Sequence, residues 1–434
     1  MTDEVSTQSP TNASAARALG TFGTFGTFGT FGRLGRLGRL GTLGTLAASR
    51  TFGYFLIAFG IWACGCQPTM QERRTTRSAH PLPDKVYGMN LRPVGDAKRG
   101  YGTRTARQTL QRLRELGVNA VAFLVEGRMK AIDSEDIEGP TSAEADALWH
   151  GLVDANTLGF ATVLVPHLVL GDGQWRGRIH FDDSEDGASR RRANWWQAYG
   201  RFIDRVTDIA STSGTTVLSI GVELKGLSAD PRTHREMQSI AERVRRTFDG
   251  RLTYNANWDE AEAVDFWDVV DLVGVNGYYP LLPEPERGAE AIARRLAALG
   301  RQADREVLIL EVGFRSSPLS HVRPWEWPSD VRPITDDQAQ AHALAAILAH
   351  WLPIEEVRGL LIWVVPTDPD DPASEPRHGF NPMNKPAETV IRRAFSAPVP
   401  TAVPAAVPTA VPAVAPAVVP VPAAVPMQLR SEAS

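Results

Sequence analysis

The stretch VLSIGVELKG, Val217 to Gly226, is an almost wholly apolar run closed by a carboxylate, Glu223. A charged group at the end of a buried strand is costly unless it is paired or put to use. Seven other runs share the character of this one: Val86–Leu91, Asn119–Val125, Ala161–His167, Leu252–Asn257, Leu272–Tyr278, Val307–Glu311 and Gly359–Val365. They are continuous rather than alternating, as parallel strands covered on both faces are. Helical patterns separate most of them. Met237, Ile240, Ala241, Val244 and Phe248 recur at three- and four-residue steps behind an Asp230-Pro231 start. Phe202, Ile203, Val206 and Ile209 do the same ahead of Val217. After the fifth run only the short EAEAVDFW segment (260–267) is available. Strand–helix alternation of this kind predicts a (β/α)8 TIM barrel in the α/β class, over residues 83–396. A doubly wound open sheet is the competing arrangement, but no Gly-rich loop follows the first strand.

The ends of the chain have a different composition. Residues 1–49 contain Gly-Thr-Phe, Gly-Arg-Leu and Gly-Thr-Leu triplets, and residues 397–434 are mostly Pro, Ala and Val. Neither has the periodicity of a packed element, so both are expected to be disordered, low-complexity tails. Residues 50–66 place Arg50 before the apolar run Phe52–Ala63, followed by Cys64 and Cys66. That run is short for a membrane span and fits a signal-peptide core. The arrangement resembles a bacterial lipoprotein signal with Cys64 as the lipidated residue, although Trp62 is unusual there. An ordinary secretory signal or a membrane anchor is the alternative. Either way the body is expected outside the cytoplasm, lipid-anchored or secreted, after a linker at 67–82.

The 434 residues are 43% apolar and 22% charged, with a formal net charge of −4. This is the profile of a soluble globular protein with no electrostatic footprint for nucleic acid. The basic run Ser189–Asn194 follows an acidic one and reads as a solvated loop. The body lacks cysteine, which excludes disulfides, thiol chemistry and a cysteine metal site. The nine histidines are scattered, with no His-Glu-x-x-His, and there is no Gly-x-Ser-x-Gly elbow. No metal and no cofactor are expected.

In a barrel of this type the active site lies at the C-terminal ends of the strands. Those ends carry Asn90, Glu126, His167, Glu223, Asn255 with Asn257, Asn276 with Tyr278, Glu311 and Trp363. Carboxylates, amides and aromatic faces converging on one mouth suit a sugar-binding cleft. Glu223 and Glu311 end the fourth and seventh strands, and glycoside hydrolysis commonly uses two carboxyl groups flanking the scissile bond.

The segments IGVELKG (220–226), LTYNANWDEAEAVDFWDVVDLVGVNGYYPL (252–281), VLILEVGFRSSPLSHVRPWEWPS (307–329) and GFNPMNKPAETVIRRAF (379–395) resemble glycoside hydrolase family 113, β-mannanase-like members of the retaining-glycosidase clan of (β/α)8 barrels. The resemblance spans nearly the whole body and neither tail. It implies a retaining glycosidase acting on a β-linked polysaccharide or oligosaccharide, β-mannan first; a monomer is expected. A weakly active or inactive carbohydrate-binding lipoprotein is the alternative. It makes Glu223 the general acid/base, Glu311 the nucleophile, Tyr278 the hydrogen-bond partner of the nucleophile, and Trp363 the platform beneath the sugar. Trp258 and Trp175 are candidates for neighbouring subsites, Asn255 and Arg176 for hydroxyl recognition, and His167 for hydrogen bonding in the cleft. Val222 stands where many members of the clan have Asn, which leaves the sugar preference open. The mechanism further leads one to expect Glu223 to sit in the less polar surroundings and stay protonated near neutral pH.

Overall fold

A computed structural model describes residues 78–396, apart from 79, 96, 183, 185, 186 and 327–333. The repeat, the signal-like segment with Cys64 and Cys66, and the Pro/Ala/Val-rich tail lie outside the described residues.

Eight parallel strands close into a barrel in sequence order. They are β1 (Val86–Arg92), β2 (Ala120–Met129), β3 (Ala161–Leu170), β4 (Val217–Val222), β5 (Arg251–Asn257), β6 (Leu272–Asn276), β7 (Val307–Val312) and β8 (Val357–Pro366). The helices are α1 (Arg104–Glu115), α2 (Ser142–Thr157), α3 (Ala188–Ser213), the one-turn α4 (Lys225–Ser228), α5 (Thr233–Val244), α6 (Pro285–Ala303), α7 (Asp337–Trp351) and α8 (Pro386–Ser396). Between β5 and β6 the connection holds only a 3-10 turn, Trp267–Val269, as the sparse pattern there leads one to expect. No helix among the described residues is long and apolar enough to cross a membrane.

Local chemistry sets the helix starts. Thr103 caps α1 by accepting from the Ala106 amide, and Thr141 with Glu144 forms a reciprocal capping box on α2. Asp336 accepts from two amides at the head of α7. Two expectations are corrected. The amphipathic helix α5 begins at Thr233, not at Asp230. The Asp230 side chain instead accepts from the Arg232 amide, two residues on, and closes a turn. Ser189–Asn194 is not a solvated loop but the first turns of α3. There Arg192 is buried and ion-paired with Asp230 and Glu236 at 3.4 and 3.1 Å. Its aliphatic stem suits the helix interface while its head finds carboxylates.

The interior of the barrel is filled by small and branched side chains: Val86, Ala120, Ala122, Ala161, Val163, Val165, Val217, Leu308, Leu310 and Leu361. Their neighbours along each strand pack outward against the helices with residues such as Leu110, Leu152, Trp195 and Trp351. This is the period-2 alternation of a strand placed between two apolar layers.

The alternation breaks twice, at the two places that matter. On β4 the register shifts between Ser219 and Val222, so Val222 joins the interior cluster one position out of phase. On β7 it shifts between Ile309 and Val312; Leu310 faces inward and Ile309 outward, and Glu311 lies within the irregularity. Such bulges re-aim side chains. β2 and β3 pair over ten positions, up to Met129↔Leu170, whereas β3 pairs with β4 only at Val163↔Val217 and Leu164↔Leu218. The β2–β3 ribbon therefore projects past the end of β4 and delivers the loop that follows β3 over the barrel mouth.

Candidate active site

Glu223 follows β4 directly. Val222 points into the barrel, so ordinary alternation would send the next side chain outward. Glu223 instead adopts a left-handed backbone conformation, φ 51°, which costs on the order of 1–3 kcal/mol for a residue with a side chain. Its amide donates to the Asn255 carbonyl at 2.8 Å. Its carboxylate, 7% exposed as a residue, is covered on both oxygens. Asn276 Nδ2 donates to Oε1 at 2.9 Å. Trp175 Nε1 donates to Oε2 at 2.9 Å, and the Arg176 guanidinium lies 3.0 Å from the same oxygen. Trp175 and Arg176 stand at the start of the 3-10 turn Arg176–Arg178 on the β3–α3 loop.

The expectation that Glu223 occupies the less polar environment and holds a proton near neutral pH is overturned. Burial, the largest influence, pushes its proton affinity up. Arg176, the hydrogen bonds from Asn276 and Trp175, and the nearby His167 together outweigh it, and the carboxyl is held below the usual glutamate range. The free site therefore holds Glu223 as a carboxylate.

Glu311, 3% exposed, has a different surrounding. The Tyr278 hydroxyl donates to its Oε2 at 3.2 Å. His167 Nε2 lies 3.2 Å from Oε1 without the alignment of a hydrogen bond, so Oε1 has no directional partner. Burial, reinforced by the charges of Glu311 and Glu223, pushes the Tyr278 phenol well above its ordinary range. Tyr278 therefore stays protonated and remains a donor.

Three residues tie the two carboxylates into one site. Asn276, the donor to Glu223, is the register partner of Glu311 across β6 and β7. Tyr278 bonds Glu311 and lies within the field of Glu223. His167 touches Glu311 and acts electrostatically on Glu223. Around them the His167 ring stacks on Trp363 with centroids 6.0 Å apart and planes at 11°. Trp363 and Trp258 pack on a cluster of Tyr278, Val364 and Phe380. β7 can approach β8 here because residue 313 is glycine; a Cβ would lie 2.3 Å from the Trp363 carbonyl oxygen.

The structure thus brings Glu223 together with Trp175 and Arg176, and Glu311 together with Tyr278 and His167, with His167 stacked on Trp363. Trp258 sits at the edge of this group, stacked at 5.2 Å on the exposed Trp325 of the β7–α7 connection. Asn255 is fully enclosed. Its amide nitrogen reaches Asn276 at 3.5 Å and its backbone carbonyl supports Glu223. Glu126 is exposed and paired with Arg128. Val222 is buried in the barrel interior and offers the cleft no hydrogen bond. Sequence reasoning missed the direct role of Asn276, although its place at a strand end signalled it. It also missed Glu260, which is buried beneath the Glu223 turn and looks in sequence like one more charge of a polar loop. Among the described residues no group of three His, Cys, Asp or Glu side chains could hold a metal ion.

The profile of Glycoside Hydrolase Family 113 matches residues 94–381. Among solved structures, the GH113 β-mannanase AaManA from Alicyclobacillus acidocaldarius, in complex with ManMIm, is 27% identical with a TM-score of 0.63. That match covers 72% of this chain and 97% of the mannanase. A complex of a GH113 β-1,4-mannanase matches at 22% identity and a TM-score of 0.64, over 72% of this chain and 98% of that one. A further GH113 β-1,4-mannanase structure matches at 23% identity and 0.64, over 73% and 99%. No curated protein matches the chain.

Proposed function

Because the chain belongs to glycoside hydrolase family 113, and is therefore a glycoside hydrolase acting on a polysaccharide or oligosaccharide, we propose that it cleaves β-mannan with retention of configuration, using Glu223 as general acid/base and Glu311 as nucleophile. The mannan preference rests on the similar structures, which are named as β-mannanases. The observation that carries the two roles is the contrast between the carboxylates. Glu311 keeps one oxygen, Oε1, without a directional partner, while its other oxygen accepts from a phenol whose proton affinity is raised, as suits a nucleophile. Glu223 is wrapped by donors on both oxygens.

In the first step Glu311 Oε1 attacks the anomeric carbon as the glycosidic C–O bond breaks, and Glu223 gives its proton to the leaving oxygen. In the second, Glu223 takes a proton from water, the water oxygen attacks the same carbon, and the bond to Glu311 breaks. Glu223 must acquire a proton before the first step. Oε2 faces only Arg176 and Trp175, neither of which can accept one. Arg176 changes partner when substrate binds: a sugar hydroxyl draws it away from Oε2, and removal of the cation together with exclusion of water favours the neutral carboxyl. Trp363 and Trp258 offer aromatic faces for sugar rings, and Asn255 acts through Asn276 and the Glu223 backbone.

The test is incubation of the purified protein with β-mannan, glucomannan, xylan and β-glucan, with proton NMR of the first-formed reducing ends. Oligosaccharides from the first two, released as the β-anomer, are expected. Release from xylan or β-glucan alone contradicts the substrate, and a first-formed α-anomer contradicts retention. Attachment through a lipid on Cys64, outside the cytoplasm, rests on the sequence of residues 50–66. Cys64→Ser is expected to abolish incorporation of labelled fatty acid, and persistent labelling would move the acceptor elsewhere.

A further inference from the structure

The left-handed turn at Glu223 is underpinned by buried polar groups outside the residues assigned so far. The amide of Leu224, the next residue, donates to the Tyr254 hydroxyl at 2.8 Å. That hydroxyl donates in turn to Glu260 Oε1 at 2.5 Å. Ser228, at the end of the short helix that follows Glu223, donates to the same oxygen at 2.6 Å, and the Asn257 amide donates to Oε2 at 3.0 Å. Tyr254 is completely buried and Glu260 is 3% exposed. All the donors to this carboxylate are neutral: two hydroxyls and a backbone amide. Burying a carboxylate without a cation is unfavourable, and an apolar pair of similar volume would pack there at lower cost. The arrangement instead fixes one atom, the Leu224 nitrogen, relative to β5. With the Glu223 amide held by the Asn255 carbonyl, the peptide units on both sides of Glu223 are then anchored to the same strand.

We propose that Tyr254 and Glu260 are positioning residues for the general acid: together they hold the turn that carries the Glu223 carboxyl into the cleft rather than toward the helices. The inference rests on Glu223 being the acid. It separates from a merely structural role because misplacing an acid hurts only leaving groups that need a proton.

The experiment compares kcat/KM, which reports the first bond-breaking step, on β-1,4-mannohexaose and on dinitrophenyl β-mannobioside, whose leaving group departs unprotonated. Tyr254→Phe and Glu260→Gln are each expected to lose about ten- to hundredfold on the hexaose and less than about twofold on the dinitrophenyl substrate. Equal losses on both substrates, or none on the hexaose, overturn the proposal. Glu223→Gln serves as the reference and is expected to show the same split, only larger. If Glu223→Gln shows no split, the acid assignment itself fails and the inference falls with it. A split there but in neither bracket variant overturns the bracket alone. Thermal melting accompanies each variant. Where one does not fold, Ser228→Ala, which removes a single donor from Glu260, is expected to give a smaller split in the same direction, and its absence counts against the proposal.

Discussion

Glu223 and Glu311 both stand where the alternation of their strands fails, and that failure turns each carboxylate inward. Their environments then differ in a way that pH resolves. Glu223 is held below its ordinary value of 4.5, with burial opposing and Arg176 leading the groups that lower it. Removing the cation in Arg176→Gln raises the proton affinity of Glu223. The acid form then persists to higher pH, so the alkaline limb of kcat/KM is expected to move upward while kcat/KM at its maximum falls from lost hydroxyl binding. An unmoved limb would show that Glu223 does not set it. The stability consequence has the opposite pH sense. A carboxyl with a depressed folded value contributes stability above its unfolded value and loses it as pH falls through the folded one. The stability gap between wild type and Arg176→Gln is thus expected to narrow as pH falls toward the depressed folded value of Glu223 in wild type, as chemical denaturation can measure. Tyr278→Phe removes a hydrogen bond to a charged group, and a loss of about ten- to hundredfold in kcat is expected from the roughly 1.5–3 kcal/mol such a bond carries. Much of this site was legible beforehand, because polar residues ending apolar runs stand out. The direction of Glu223's proton affinity was not. It depends on Arg176, 47 positions earlier in the chain, reaching over the mouth on a ribbon whose length no periodicity reveals.

At the scale of elements, strand identity was readable from apolar runs because parallel strands are buried on both faces. Register was not, because a bulge is a relation between two strands. The two close approaches that complete the site depend on glycine and respond differently to a methyl group. At Gly313 a Cβ meets the backbone oxygen of Trp363 at 2.3 Å, so Gly313→Ala must push β7 from β8. Lower melting temperature and lower activity are expected together. At Gly177 the atoms nearest a Cβ are outer ring atoms of Trp175, the closest at 2.4 Å. Gly177→Ala is therefore expected to swing that ring off Glu223, lowering activity with little change in melting temperature. Activity loss confined to molecules that have begun to unfold would contradict that separation. The Asp230 and Arg192 corrections have a common cause: both side chains answer to α3–α5 packing, where a distant partner outweighs the local signal.

For the whole molecule, the ring is closed by β1 against β8, so the described residues contain every strand of the barrel. Residues 78–396 expressed alone are expected to unfold in one transition, to sediment as a monomer and to keep the full-length kcat/KM. A lowered melting temperature would assign the flanking segments a packing role. In the proposed retaining mechanism Glu311 forms a bond to sugar and Glu223 does not. The most direct measurement is to trap that bond with a dinitrophenyl 2-deoxy-2-fluoro-β-mannoside and to locate the label by mass spectrometry of the digested protein. A single fluoromannosyl group on the peptide containing Glu311 is the expected result. Label on Glu223, or inactivation with no covalent sugar at all, would contradict the account.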